Sequence, residues 1–211
     1  MAPAEPPARA YDSSGRRAGA LRGRRAVLEA CRELLFRDGY RATTIRAVAE
    51  RAGVSPETVY KTFGGKPGIL KALWDVTLAG DDTPASMAER PQLQEVFRTR
   101  DPGEKLGRYA EFVCGVHERT GALFALLNRA GPDVAEFLDA TEAERLTGVR
   151  GFVAHLASEA MLRPGEDRGR AADVCWVLTS PQVFGRLTTD RGWDTGAYRS
   201  WLAGALAGAL L

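Results

Sequence analysis

Residues 44–63 read TIRAVAERAGVSPETVYKTF, which has the pattern of two short helices joined by a tight turn. Thr44 is placed to cap the first, because its hydroxyl can accept an amide hydrogen from the opening turn. Ile45, Val48, Ala49 and Ala52 recur at helical spacing and share a face, while Arg46, Glu50 and Arg51 point elsewhere. Gly53 follows, able to take the left-handed conformation that ends a helix without Cβ strain. Ser55 then caps a second helix. Pro56 stands at its first position, where a missing N–H costs nothing, and Glu57 in its first turn, where the helix dipole favours an acid or the carboxylate can read a cytosine amino group. Val59 and Phe63, four apart, face the first helix, which leaves Ser55, Pro56, Thr58, Lys61 and Thr62 on the outer surface. A helix barely two turns long is not stable alone and makes sense as a projection held out by its neighbours.

Upstream, Leu21, Val27, Leu28, Cys31, Leu34 and Leu35 mark an amphipathic helix over about Leu21 to Asp38, closed near Gly39. Residues 1–20, rich in Ala, Pro, Gly and Arg, are expected to form a disordered basic arm. Arg16, Arg17, Arg22, Arg24 and Arg25 cluster there, either as phosphate or minor-groove contacts or as a solvated tail. Downstream, Ile69, Leu70, Leu73, Trp74 and Thr77 predict a helix over Lys66 to about Ala79, and the polar stretch Gly80 to Ser86, with Pro84, reads as a boundary.

These residues resemble the DNA-binding domain of the tetracycline-repressor (TetR) family of transcription regulators. The likeness runs through the first helix, Gly39-Tyr40, Ala42-Thr43-Thr44, Ile45-Arg46, Val48-Ala49, Ala52-Gly53-Val54-Ser55, Thr58-Val59-Tyr60, Phe63, Lys66 and Ile69-Leu70, roughly the first third of the chain. The resemblance implies that Tyr60 and Lys66 hold DNA phosphates and that Ser55, Pro56, Thr58 and Lys61 face the major groove, with Thr44 and Arg46 placed for phosphates or a flanking base. Lys66 sits unfavourably at a helix N-terminus, an objection that a nearby phosphate would remove. The sequence departs from the family at Gly64-Gly65, where a polar cap usually precedes the lysine, and at Pro67, which removes an amide donor.

Charge is distributed to match. Residues 1–80 hold 14 Arg or Lys against 8 Asp or Glu, and residues 81–211 hold 15 against 19, so the front is +6 and the rear −4. A polyanion partner suits the front only. Cys31, Cys114 and Cys175, odd in number and far apart, argue against a disulfide framework and for a reducing cytoplasm. No apolar run reaches the roughly 18 residues of a membrane span, and the early acid and missing apolar stretch at the start argue against a signal peptide.

The remainder reads as helices with short breaks. They cover Gln92 to Arg98, ending at Asp101-Pro102-Gly103; Glu104 to Arg119, with a break at Thr120-Gly121; Ala122 to Ala130; and Gly131-Pro132 on to about Leu162. Segments 167–189, with a possible bend at Pro181, and 195–211 are unusually apolar, and Gly204 and Gly208 add a small-residue stripe. In the family two such helices from each subunit build a four-helix dimer interface. An aromatic set, Tyr109, Phe112, Phe124, Phe137, Phe152 and Trp176, is either core or the lining of a cavity, with His117, Asn128 or Thr141 as orienting groups. Cys114 and His117 lie three apart, but no further Cys or His is near, so a polar pair is expected rather than a metal site. There is no Walker-type loop, no GxGxxG after a strand and no G-x-S-x-G elbow, so neither catalysis nor a cofactor is expected.

The expectation is an all-α chain: a disordered basic arm (1–20), a three-helix helix-turn-helix DNA-binding domain (21–81, motif 44–63), and a C-terminal helical bundle for effector binding and dimerisation (85–211). The resemblance implies a cytoplasmic homodimer on a double-stranded operator, released by a small hydrophobic or aromatic effector. Two other classes stay open at this point, a sequence-tolerant DNA-coating protein without an effector and an enzyme with a fused DNA-binding head.

Overall fold

In the computed structural model, residues 13–83 and 86–211 are described, with the backbone only at 13–17, and all regular structure among them is helical. Residues 1–12 of the expected arm, and Pro84 of the expected boundary, lie outside that range. By contacts the chain divides between Leu73 and Trp74.

The first unit holds α1 (Ser13–Ala42), α2 (Ile45–Ala52), α3 (Pro56–Phe63) and the front of α4 (Lys66–Ala79). Helix α1 begins eight residues before Leu21, so residues 13–20 are helical rather than an extension of a disordered arm; arginine and alanine there are good helix formers. Leu21 is 51% exposed and so falls off the apolar face that Val27, Leu28, Cys31, Leu34 and Leu35 bury. The helix is broken at Gly39, whose φ of 82° is non-helical. Thr43, fully buried, then closes the end by donating its hydroxyl to the Gly39 carbonyl at 2.9 Å. Helix α2 packs on α1 and α3 on α2, with Val48, Ala49 and Val59 buried at 0–1% exposure. The caps fall where the sequence puts them. Thr44 accepts from the Ala47 amide, Gly53 is left-handed at φ 67°, and Ser55 accepts from the Thr58 amide at 3.2 Å. Arg51 and Glu33 pair at 2.6 Å and tie α2 to α1.

The second unit runs from the back of α4 through α5 (Pro91–Arg98), α6 (Pro102–Arg129), α7 (Ala135–Ser158), α8 (Arg168–Leu178), α9 (Pro181–Gly185) and α10 (Thr195–Leu210). Helix α6 packs against α5, α9 and α10, and α8 against α7 and α10. Leu106, Tyr109, Phe152, Leu156, Cys175, Tyr198, Leu202 and Leu206 share one buried core. Asp101, Asp167, Ser180 and Asp194 cap α6, α8, α9 and α10, each accepting an amide hydrogen of the first turn.

Several boundaries differ from expectation. The break at Thr120-Gly121 is absent: α6 is continuous, Thr120 turning its hydroxyl back to the Val116 carbonyl at 2.9 Å while Gly121 leaves room for the Phe184 ring. Helix α7 stops at Ser158, followed by Ala160 at φ 54°, rather than reaching Leu162. Gly131–Val134 is a 3-10 turn, and a π-helical segment, Arg186–Asp190, follows α9.

Gly68, on the first turn of α4, touches α3 backbone: a Cβ there would lie 1.7 Å from the Phe63 carbonyl oxygen. Gly68→Ala is expected to destabilise the first unit by about 1–3 kcal/mol, since backbone atoms cannot yield as a side chain can. Loss of hydrogen-exchange protection in α2 to α4 with the second unit unchanged is the expected reading; unaltered protection in all of them refutes it.

Candidate nucleic-acid interface and ligand cavity

The outward face of α3 follows from its inward one. Val59 is buried to 0%, so Thr58, Tyr60 and Lys61 stand in solvent, Tyr60 at 56% exposure. Ser55 and Thr62 are exposed and Pro56 half-buried; Thr44, the cap of α2, and Arg46, in its first turn, are exposed as well. The hydroxyls are partly engaged. Ser55 Oγ lies 3.2 Å from Thr58 Oγ1, and Thr62 donates to the Thr58 carbonyl at 2.8 Å. The Glu57 carboxyl is held below its usual range first by its own backbone amide and then by the Ser55 hydroxyl. That arrangement is what a helix-capping acid makes.

Lys66 is placed differently from the other candidates. It is half-buried, its ammonium lies 3.8 Å from the centre of the Tyr40 ring, and it donates to the Tyr40 carbonyl. A cation–π contact and a carbonyl acceptor together offset the unfavourable position at a helix N-terminus without any phosphate. The sequence signal for this was Tyr40 itself, 26 residues away. Arg24 covers the Phe63 ring at 5.2 Å, adding a basic group beside the end of α3.

The second unit encloses a cavity of about 350 Å³ whose wall is mostly apolar and aromatic, including Trp74, Phe97, Tyr109, Phe112, Phe124 and Phe152. Of the aromatic and polar residues singled out in the sequence, Tyr109, Phe112, His117, Phe124, Thr141 and Phe152 line it. Asn128, Phe137 and Trp176 do not. Asn128 is exposed and donates to the Phe124 carbonyl, Phe137 meets Trp74 edge-on at 5.9 Å, and Trp176 lies under the Arg145 guanidinium at 4.8 Å. The last two therefore touch wall residues without joining the wall. A neighbouring polar cavity of about 370 Å³, with Arg90, Arg108 and Arg119, shares Met87 and Phe112 with the first.

Three polar features mark the apolar cavity. His117, on α6, is 4% exposed and its Nε2 donates to the Thr179 carbonyl at 3.0 Å. Burial, and to a lesser degree the Arg145 charge, push its pKa down to about 4, against an upward pull from the carbonyl. Arg145 pairs with Glu142 one turn away at 2.7 Å and donates to the Trp176 carbonyl at 2.8 Å, joining α7 to α8. Sequence reading missed both members of this pair, although Thr141 in the same turn was singled out; an i, i+3 Glu and Arg pair looks like any solvated helix face until α8 is laid across it. Cys114 and His117 share no metal cluster, and among the described residues no group of three or more potential ligands is found. All three cysteines are free and buried, and burial raises the thiols to about 11 for Cys31 and Cys114 and about 12 for Cys175.

Comparison with known proteins now bears on this arrangement. The family model of the tetR family of bacterial regulatory proteins matches residues 27–73, the stretch that carries α2, α3 and the Lys66 contact. Residues 27–73 thus carry the segment that defines the tetR family of bacterial regulatory proteins. Over 47 residues it is 45% identical to an uncharacterised HTH-type transcriptional regulator, YvkB of Bacillus subtilis (strain 168), a match spanning 22% of this chain and a quarter of that relative's length. The fold is shared with solved structures over nearly the whole chain. FadR of Bacillus subtilis in complex with stearoyl-CoA superposes with a TM-score of 0.64 at 17% identity, covering 89% of this chain and 99% of that one. The SmeT–triclosan complex gives 0.65 at 17% identity, covering 90% and 91%.

Because His117 is neutral when folded but protonates near pH 6.5 when unfolded, the unfolded state binds the extra proton as pH falls. The stability tied to this group is present above pH 6.5 and is lost progressively down to about pH 4, by about 3 kcal/mol in all. Urea unfolding followed by tryptophan fluorescence checks this, since Trp74, Trp176, Trp193 and Trp201 all lie in the second unit. His117→Gln is expected to flatten the loss between pH 7 and pH 4.5, and parallel curves for the two proteins contradict the assignment.

Proposed function

We propose that the protein is a sequence-specific, DNA-binding transcription regulator that acts as a homodimer and leaves a palindromic operator when a small apolar effector occupies the cavity of its second unit. One observation carries the DNA reading: Thr58, Tyr60 and Lys61 project from a two-turn helix whose Val59 is wholly buried, inside the segment shared with the tetR family. In this reading residues 21–81 are the DNA-binding domain and 85–211 the effector and dimer domain. Thr58, Lys61, Ser55 and Pro56 read base edges, and Tyr60, Thr44 and Arg46 position the backbone. Lys66 contributes through Tyr40 or by swinging to a phosphate on binding.

The cavity supports the effector, and two proteins of similar fold are known in complex with stearoyl-CoA and triclosan. Helix α4 carries Lys66 near one end and the cavity residues Trp74 and Leu78 near the other. Dimerisation is supported by the exposed Val174 and Val177 of α8, with Gly204 and Gly208 of α10 open to a close neighbour. No helix among the described residues is long and apolar enough to cross a membrane, which accords with a cytoplasmic regulator.

Genomic fragments captured by the protein are expected to share one inverted repeat, with two half-sites one helical turn or a multiple of it apart. Tyr60→Phe should weaken matched and scrambled sites alike by severalfold, whereas Thr58→Ala and Lys61→Ala should change which sequence is preferred. Capture of fragments with no common site would defeat the proposal. Val177→Asp is expected to give a monomer by light scattering and at least about a tenfold weaker hold on the full repeat; a dimer that persists in that variant removes α8 from the interface.

A further inference from the structure

The apolar cavity of the second unit has a distinct hydrogen-bonding character.

Its three buried or half-buried threonines all point their hydrogens away from the cavity. Thr120 donates to the Val116 carbonyl at 2.9 Å, Thr141 to Phe137 at 2.9 Å and Thr179 to Cys175 at 2.7 Å. Each oxygen keeps lone pairs only. His117 behaves alike. Its Nε2 hydrogen is committed to the Thr179 carbonyl, and a ring held neutral by burial then offers an acceptor at Nδ1, which no hydrogen bond among the described residues occupies. The guanidinium is a weak source of donors. Nε bonds Glu142, Nη1 bonds the Trp176 carbonyl and, at 3.5 Å, Thr179 Oγ1, and Nη2 bonds Glu142, so four of its five N–H groups are taken. Tyr109 lines the cavity as well, and its phenol is a donor. What remains to donate is one Arg145 N–H, the Tyr109 phenol and the Trp74 indole.

Charge is equally constrained. Glu142 is neutralised by Arg145, and the other wall carboxylate, Glu144, is exposed. The interior is therefore neutral, apolar and rich in acceptors. A carboxylate or phosphate entering it would lose its water and meet lone pairs, and an ammonium would find no uncompensated anion.

Resting on the effector reading above, we infer that the cavity takes an uncharged ring compound bearing a hydroxyl, with the O–H donated to His117 Nδ1 or a threonine oxygen, and turns away acyl and other carboxylate ligands. The hydroxyl meets the acceptors that the wall leaves unoccupied, and the rings fill the space between Trp74, Phe112, Phe124 and Phe152.

Calorimetric titration of the full-length protein with para-phenylphenol, its methyl ether and biphenyl para-carboxylate tests this. The phenol is expected to bind about tenfold more tightly than the ether, the value of one hydrogen bond, and about a hundredfold more tightly than the carboxylate, which carries the cost of desolvating a charge. A carboxylate or ether that matches the phenol overturns the inference, as does binding of none of the three. His117→Leu should cut the advantage of phenol over ether to less than about threefold. Should that variant fail to fold, His117→Gln, which keeps a polar amide, and Thr141→Val are read in the same way, and an unchanged ratio in every folded variant refutes the placement. Repeating the titrations with captured operator DNA separates the two claims. Phenol selectivity without DNA release leaves the cavity chemistry standing and removes the effector role. Release by the carboxylate alone does the reverse.

Discussion

Helix α3 hangs on the burial of Val59. With eight residues it lies below the length at which helices persist in water, so its folded state must come from contacts outside its own hydrogen bonds. Burying one valine contributes about 1.5 kcal/mol or somewhat more, and the Ser55 cap about 1 kcal/mol. Gly64 in the left-handed region ends the helix, and Gly68 lets the backbone of α4 close against the Phe63 carbonyl. Apart from the exposed Ser55 cap, none of these involves a side chain that faces outward. Thr58, Tyr60 and Lys61 are thereby released from structural duty, which is the condition under which a family can vary its reading surface without losing its fold.

The first unit was legible because each decision in it is local. Thr44, Gly53, Ser55 and Pro56 act within four residues of themselves, and the alternation of Val48, Ala49 and Val59 with charged neighbours is set by helical periodicity alone. Where the outcome depended on a distant partner, reading failed. Lys66 finds its compensation in Tyr40, and the need for Gly68 appears only when Phe63 is brought against it. The misread break in α6 has the same origin. Thr120 and Gly121 weaken a helix taken alone, yet α9 places Phe184 against Gly121, and the threonine hydroxyl is absorbed by the carbonyl one turn back.

In the second unit the same kind of residue serves two ends, and the sequence does not separate them. Tyr109 and Phe152 stack at 3.7 Å and close the core, yet both also face the cavity, while Phe137 and Trp176 are aromatic and miss it. The difference lies in which helix crosses at each point. Polar groups divide similarly. Lys105 is fully buried, its ammonium 2.8 Å from His155 Nε2 and 3.4 Å from the Phe97 carbonyl, a bridge among α5, α6 and α7 that faces no open space. Since the ammonium can only donate, His155 accepts at Nε2 and carries its hydrogen at Nδ1. His117 uses the opposite tautomer. Two histidines in one bundle are thus fixed in complementary forms by a carbonyl and by an ammonium, and only the one beside the cavity keeps an acceptor for something that is not protein.

Helix α4 shows what an effector has to accomplish. Along it Lys66 and Trp74 are eight residues apart, about 12 Å of helix axis, with no glycine or proline between Gly68 and Trp74 to absorb a bend. Filling the cavity is not sufficient, however. A ligand shifts an equilibrium only by the difference in its affinity for the two states, and one that binds both equally moves nothing however tightly it is held. A coupling of about 1–3 kcal/mol already changes affinity at the other site by about 5- to 150-fold. Trp74 lines the cavity and meets Phe137 edge to face at 5.9 Å, so a ligand that moves the indole also breaks that contact. On the proposed function the requirement is thus narrower than occupancy, since an effector has to bind the two states of the cavity wall unequally.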